Sequence, residues 1–333
     1  MIKSISLHGF KSYVNQTFEL SPLTILTGLN SSGKSSVIQS IRVLKNIVSY
    51  KDENKAFYQL NIGDKNEVMN QNCDKIEIKA TIDNLEHTQI LYDSENGINI
   101  APFPYIIYIS ASRKGGTSTI PLLSNLELGS EGENVLNVIE HYGDEILADS
   151  LQDEAEGKTF SYVLAGWLQK ISPDVKFEPK LARQADTSYS LYDQHRSSNV
   201  GYGLSYSLPV IVALLLGTIK QDSLVLIENP EAHLHPRGQY EMSRLICLCV
   251  EAGAKVLVET HSDHLFDGVR IFCKESATSF ADNVIAYWCQ LDEDKCTKVD
   301  TCHIKKNGKV DEIGIRYLIG FTRQISRALQ FHL

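Results

Sequence analysis

Hydrophobic positions alternate at the start of the chain and then gather into blocks. Residues 1–20 predict a β-hairpin, with Ile2, Ile5 and Leu7 on one arm and Thr17-Phe18-Glu19-Leu20 on the other. Leu23-Thr24-Ile25-Leu26-Thr27 reads as a buried strand, followed by a helix over residues 35–50. Lys75 to Ile82 and His87 to Tyr92 predict paired strands, and Tyr105 to Ser110 another. From Leu122 to Ile171 the pattern turns helical, with a break at Gly129–Glu133 and an amphipathic stretch over Phe160–Leu168 that ends before Pro173. Val175–Glu178 and Ser188–Tyr192 predict short strands. Leu208 to Leu216, continuing weakly to Ile219, is the longest apolar run; it is short for a bilayer span and reads as a core helix. Buried strands follow at Leu224–Ile227 and Lys255–Val258, then a strand pair at Val284–Leu291 and Lys298–Ile304. A helix is expected over Ile313–Leu329.

The first buried strand runs into Gly28-Leu29-Asn30-Ser31-Ser32-Gly33-Lys34-Ser35, which fills every fixed position of G-x-x-x-x-G-K-[ST]. Small residues let consecutive backbone N–H groups turn inward around a phosphate, Lys34 brings a point charge, and the Ser35 hydroxyl suits Mg²⁺. The helix that begins near Ser36 adds its N-terminal dipole to the same anion site. Three later segments carry chemistry of their own. Asn199-Val200-Gly201-Tyr202-Gly203-Leu204-Ser205-Tyr206 is a glycine loop entering the apolar helix. In Ser223–Pro236, an apolar strand delivers Glu228 at its carboxyl end, followed by Asn229-Pro230-Glu231-Ala232-His233-Leu234-His235. Such an acid holds the water shell of Mg²⁺. Lys255–Ser262 is another buried strand, ending in Glu259-Thr260-His261-Ser262. Ligands collect at the carboxyl ends of parallel strands, so these segments are expected to converge on the phosphate loop.

Charge narrows the partners. A net charge of −9 over 333 residues argues against a surface that coats nucleic acid everywhere. Local basic patches remain: Arg113-Lys114 in a loop, and residues 303–333, where six Lys/Arg face two acids. Seven cysteines with no C-x-x-C spacing read as reduced, mostly buried thiols, which suggests a cytoplasmic protein, and the alternating N-terminus is not a signal peptide. The spacing of His233, His235, Glu228 and Glu231 is not that of a standard zinc motif and favours structural or interface roles. Lys11 is either a nucleotide-proximal cation or a hairpin surface lysine, and Arg113 either reaches a ligand or is solvated.

Four passages together resemble the ABC-type ATPase head: Ile5–Ser12, Gly28–Ser35, Glu228-Asn229-Pro230-Glu231 with the following His-Leu-His-Pro, and Glu259-Thr260-His261-Ser262. The resemblance is to the soluble SMC, RecF and OLD-like branch, and within it to bacterial AAA-family ATPases with a small C-terminal domain of unassigned function. It implies an α/β P-loop NTPase fold of ABC-head type, with a mixed central sheet flanked by helices, a helical lobe and an antiparallel β subdomain. The expected organisation is an N-terminal lobe with phosphate loop and β subdomain over 1–120, a mainly helical insertion over 121–198, a C-terminal lobe over 199–282, and a small β-α region over 283–333. ATP and Mg²⁺ are the implied cofactors. Asn30, Ser31, Ser32, Gly33, Lys34, Ser35 and Ser36 would bind the nucleotide, with Gly203 and Ser205 meeting it from a second protomer. Ser35 and Glu228 would serve the metal, and His261 would sense the γ-phosphate.

The sequence departs from the family at two places. The residue after the Walker B acid, usually the glutamate that polarises water, is Asn229; Glu231 is then the expected general base. The glycine loop is not Leu-Ser-Gly-Gly-Gln, so either Ser205 caps the following helix and reaches a γ-phosphate, or Gly201 and Gly203 align and Ser205 is a plain N-cap.

The resulting expectation is an ATPase that forms a homodimer across ATP and regulates a separate effector, a nuclease or toxin, in bacterial anti-phage defence. The alternative is a RecF-type repair ATPase that binds DNA, and a transporter motor ranks third, with no membrane partner expected. About 160 residues without heptads separate the phosphate and glycine loops, which leaves no room for a long coiled-coil arm. No coupling glutamine is recognisable beyond a weak match at Gln59.

Overall fold

The computed structural model describes all residues except 1, 83–88, 94, 96, 100, 101, 114, 116–118, 124, 153–156, 174, 221 and 312–333. Its elements run β1 (Ile2–Phe10), β2 (Tyr13–Glu19), β3 (Leu23–Gly28), α1 (Lys34–Tyr50), α2 (Glu53–Tyr58), α3 (Lys65–Val68), β4 (Glu77–Ile82), β5 (Gln89–Asp93) and β6 (Gly97–Asn99). Next come β7 (Tyr105–Ile109), β8 (Ile120–Pro121), α4 (Val135–Tyr142), α5 (Phe160–Ile171), β9 (Phe177–Ala182), β10 (Thr187–Tyr192) and β11 (His195–Arg196). The chain closes with α6 (Tyr202–Ile219), β12 (Ser223–Glu228), α7 (Pro236–Glu251), β13 (Val256–Glu259), α8 (Asp263–Glu275), β14 (Val284–Leu291) and β15 (Thr297–Cys302).

Two compact units interleave along the sequence. The first holds residues 1–2, 82–86 and 101–269, and the second holds 3–81, 87–100 and 270–333.

In the first unit, β12 lies between β7 and β13 with all three parallel, Ile227 opposite Ile109 and Glu228 opposite Glu259. Every residue of β12 is buried, as a strand covered on both faces must be, which explains its unbroken apolar run. Helices α5, α6 and α7 pack on one another, and α6 lies on β12 and β7. Helix α6 is longer than the apolar run predicted: it is the one helix among the described residues long and apolar enough to cross a membrane. Its buried residues nonetheless run almost unbroken from Leu204 to Gly217, as in a core helix. The segment 121–198 is not mainly helical. Besides α4 and α5 it contains β9, β10 and β11, which form an antiparallel sheet with β8. Alternation at Thr187–Tyr192, where every second side chain is buried, outweighs the helical reading of the flanks.

In the second unit an antiparallel sheet runs β2-β1-β4-β5-β6. Beside it β3 pairs with β14 in parallel, and β14 with β15 antiparallel, a mixed arrangement. Phe18 joins the parts: its ring packs edge-on against Tyr13 at 5.6 Å and Tyr287 at 5.1 Å. Tyr287 then closes the seam, its hydroxyl donating to the Glu19 carbonyl and accepting from the Glu19 N–H, both at 2.9 Å. The short helices α2 and α3 follow α1, and Asp52 and Asp64 cap them through their carboxylates. None of the seven cysteines is in a disulfide, and six of them are buried. The helix expected over Ile313–Leu329 lies outside the described residues.

Candidate active site

The phosphate loop connects β3 to α1 in the second unit. Its path requires two left-handed turns, at Ser31 (φ 60°) and Gly33 (φ 97°), and Gly28 sits at φ 134°. Only glycine tolerates the last two cheaply. A side chain at Gly28 would overlap the Cys289 carbonyl of β14. One at Gly33 would meet Thr297 Oγ1, Ser12 Oγ and Tyr13 Oη at 2.6–3.1 Å. Gly33 is also the N-cap of α1, with no side-chain cap hydrogen bond, an arrangement in which a helix end can receive an anion.

Lys34 is buried, and its ammonium donates to the loop carbonyls of Gly28 at 3.1 Å and Leu29 at 2.6 Å. Ser32 is 1% exposed, and its hydroxyl is buried without a partner. Asn30 and Ser31 are exposed, Ser35 is half-buried, and the buried Ser36 donates its N–H to the Gly33 carbonyl. Lys11 lies at φ 52° and gives its ammonium to Gln39 of α1 at 2.6 Å, neither a free surface lysine nor a direct part of the loop. Gln59 C-caps α2.

The motif alone does not show what holds the loop in shape. Thr297, the first residue of β15, has its hydroxyl 3.0 Å from the Ser32 carbonyl, to which it donates, and 2.6 Å from Ser12 Oγ, whose hydroxyl can donate to it. Its own N–H donates to the Ser12 carbonyl at 2.8 Å. Tyr13 Oη donates to the Gly33 carbonyl at 3.1 Å. No sequence signal links Thr297 to a loop more than 260 positions earlier; only the strand pairing does.

In the first unit the carboxyl ends of β7, β12 and β13 gather acids. Glu228 is buried, accepting from Tyr108 Oη and from the Ala111 N–H, each at 3.1 Å. Asn229 follows in a left-handed turn at φ 47°, a conformation asparagine tolerates better than most residues. Its Oδ1 is buried without a partner. The turn brings Glu231 back under β13, where Oε1 accepts from the His261 N–H at 2.9 Å. Glu231 Oε2 is buried and without a partner, and burial raises this carboxyl's pKa above the ordinary glutamate range. His261 itself is exposed, with Nε2 3.9 Å from Glu259 Oε1. Glu259 is 5% exposed and was not singled out from the sequence, although its register opposite Glu228 places two acids at neighbouring strand ends.

Ser205 does not cap α6. The helix begins at Tyr202 with Gly201 as N-cap, so Gly203 and Ser205 sit inside its first turns, and Ser205 Oγ donates back to the Tyr202 carbonyl at 3.1 Å. Gly203 is needed for close packing, since a side chain there would press on the His233 carbonyl at 2.9 Å. His233 (φ 63°) stacks edge-on against Tyr206 at 4.6 Å, and His235 caps α7 by accepting from the Arg237 N–H. Gly201, Gly203, His233, His235 and Arg237 border a cavity of about 710 Å³.

Over residues 43–267 the chain matches the sequence family described as "AAA domain, putative AbiEii toxin, Type IV TA system". No curated protein matches it in sequence. Among solved structures it is similar to an SMC head bound to the C-winged helix domain of ScpA, with 13% identity over 92% of this chain and 98% of that one and a TM-score of 0.54. A second is the Smc head domain with an extended coiled coil bound to the C-terminal domain of ScpA derived from Pyrococcus furiosus, with 14% identity, coverage of 96% and 99%, and a TM-score of 0.50. A third is the recombination mediator protein RecF, with 11% identity, coverage of 90% and 98%, and a TM-score of 0.45. At these identities the likeness to the SMC heads establishes the fold, an α/β P-loop head with mixed and antiparallel sheets flanked by helices. The family match spans more than half of the chain, so the protein belongs to this AAA-domain family.

Proposed function

We propose that the chain binds ATP with Mg²⁺, hydrolyses it to ADP and phosphate, and uses ATP to bring two copies together in the cytoplasm. The observation that carries this reading is the Gly28–Ser35 cradle. A buried ammonium is folded over carbonyls at an uncapped helix N-terminus, beside a buried hydroxyl that has no partner. The donor chemistry fits Mg²⁺: the Ser35 hydroxyl and the Glu228 carboxylate are hard oxygens. When bound, the ion neutralises charge on the phosphate oxygens.

The base is assigned to Glu231. Oε1 is held by a backbone N–H, leaving the unpartnered Oε2 to take a proton from water. Asn229 offers only an amide at the position where the family pattern has its glutamate, so turnover is expected to be slow. Gly203 and Ser205 are assigned to a second protomer's nucleotide, and His261 to sensing its γ-phosphate.

The dimer is proposed to control a separate effector protein, a nuclease or toxin, in anti-phage defence; the family's description as a toxin of a toxin–antitoxin system favours this over DNA repair. Of the basic groups behind the DNA-clamp alternative, Arg113-Lys114 and residues 303–333, the Arg113 guanidinium is buried and committed to backbone carbonyls. The test is nucleotide titration and size-exclusion chromatography of wild type and Lys34→Ala, with and without ATP–Mg²⁺. Wild type should bind ATP and shift to a dimer. Lys34→Ala should bind at least about tenfold more weakly, given about 1.5–3 kcal/mol for charge-assisted hydrogen bonds. Equal binding by both would refute the assignment.

A further inference from the structure

Arg113 is 3% exposed, and the structure gives it work that the motifs do not mention. From the loop after β7, Nη1 donates to the Ser110 carbonyl at 2.9 Å and to the Glu228 carbonyl at 2.7 Å, while Nη2 donates to the Asn229 carbonyl at 2.7 Å. No carboxylate lies within ion-pairing distance among the described residues, and Nε has no partner. A buried cation solvated by three carbonyls is costly unless its geometry is used. Two of those carbonyls begin the turn that carries Glu231, and one belongs to Asn229, whose left-handed backbone needs holding.

We propose that Arg113 is a positioning residue for hydrolysis: its planar fork fixes the Glu228–Asn229 peptides and thereby aims the Glu231 carboxylate. The proposal rests on the ATPase reading above. A guanidinium can bridge carbonyls on two successive peptides, whereas an ammonium of similar length cannot hold the same planar geometry. The guanidinium also lies against the Tyr206 ring, 5.6 Å from its centroid, and Tyr206 stacks on His233. The same residue thus touches the Walker B turn and the first turns of the glycine helix. The groups that act on the Glu231 carboxyl are the His261 N–H, the Thr260 side chain and the Arg113 charge. Burial pushes the Arg113 pKa down to about 10, which leaves it charged at neutral pH, and its charge in turn lowers the Glu231 pKa against the opposing effect of burial.

The experiment compares wild type, Arg113→Lys and Arg113→Gln in steady-state ATPase assays across pH, alongside nucleotide titration and thermal melts. Arg113→Lys should lose about tenfold or more in kcat with KM and ATP affinity changed less than about threefold, the signature of a misplaced catalytic group. Arg113→Gln should lose at least as much and also move the acid limb of kcat to higher pH, because Glu231 loses a neighbouring cation. A purely structural role would lower the melting temperature without moving that limb. Wild-type activity with kcat and limb unchanged in both variants would overturn the proposal alone. ATP binding with no turnover in wild type would overturn the hydrolysis reading and this proposal together. Should both variants fail to fold, hydrogen exchange of wild-type residues 228–232 decides: protection is expected, and exchange at the rate of an unstructured peptide would refute the clamp.

Discussion

The two oxygens of Glu231 have different surroundings, one on a backbone N–H and one buried without a partner. That asymmetry suits a base, and it fixes the direction of two pH effects. Because burial raises its pKa, the ionised form accumulates only above the ordinary glutamate range, so kcat should fall on the acid side at a higher pH than a solvent-exposed glutamate would impose. For stability the folded chain binds this proton more tightly than the unfolded chain. As pH falls from the raised pKa through the ordinary glutamate pKa, this site therefore favours the folded state, the opposite of a salt-bridged carboxylate. Glu231→Gln should cut kcat by about 10²–10⁴ and let an ATP-bound dimer accumulate on size-exclusion chromatography. A variant that turns over at the wild-type rate would remove Glu231 from the mechanism. Thr297 offers a second residue-scale test. Thr297→Val keeps the shape but strands the Ser32 carbonyl and the Ser12 hydroxyl, so ATP affinity should fall about thirtyfold, for two hydrogen bonds at about 1 kcal/mol each, in nucleotide titrations of a protein that still folds.

At the scale of elements, the buried strands were easy to read because each is a short apolar run ending in a functional group, as in Leu224–Glu228 and Val256–Glu259. The helix boundary at Tyr202 was not. Gly201, Gly203 and Ser205 look like loop residues, yet α6 starts among them because its apolar body is packed on all sides and draws the preceding turn into the helix. Pro209, inside α6, has no N–H to give the Ser205 carbonyl, so the first turns are less firmly tied than the rest. The pairing of β3 with β14 carries the sharpest element-scale expectation. Gly28→Ala combines a left-handed φ with an overlap on the Cys289 carbonyl, so the two strands must separate. Destabilisation on the order of 3 kcal/mol, or failure to fold, should appear in chemical denaturation. An unchanged midpoint would mean the loop has another path.

At the scale of the whole molecule, the second unit is assembled from both ends of the chain, and the family match at 43–267 leaves out the phosphate loop as well as β14 and β15. A chain cut after Val269 keeps the nucleotide motif but loses β14, which pairs with β3 in parallel, and the Thr297 clamp. It should fail to bind ATP and lose β structure by circular dichroism; normal ATP affinity would show that the final strands are dispensable. The sequence by itself determined the phosphate-loop motif, its flanking strand and helix, and the buried strands that end at Glu228 and Glu259, because each depends on local spacing of residue types. Tertiary structure alone decided that Arg113 is buried rather than solvated, that Thr297 and Tyr13 support the loop, that Glu259 lies beside Glu228, and that the strands expected at 175–178 and 188–192 pair into a sheet with β8 and β11. Those facts depend on which distant strands pair and which buried polar groups find partners, and no local pattern encodes that.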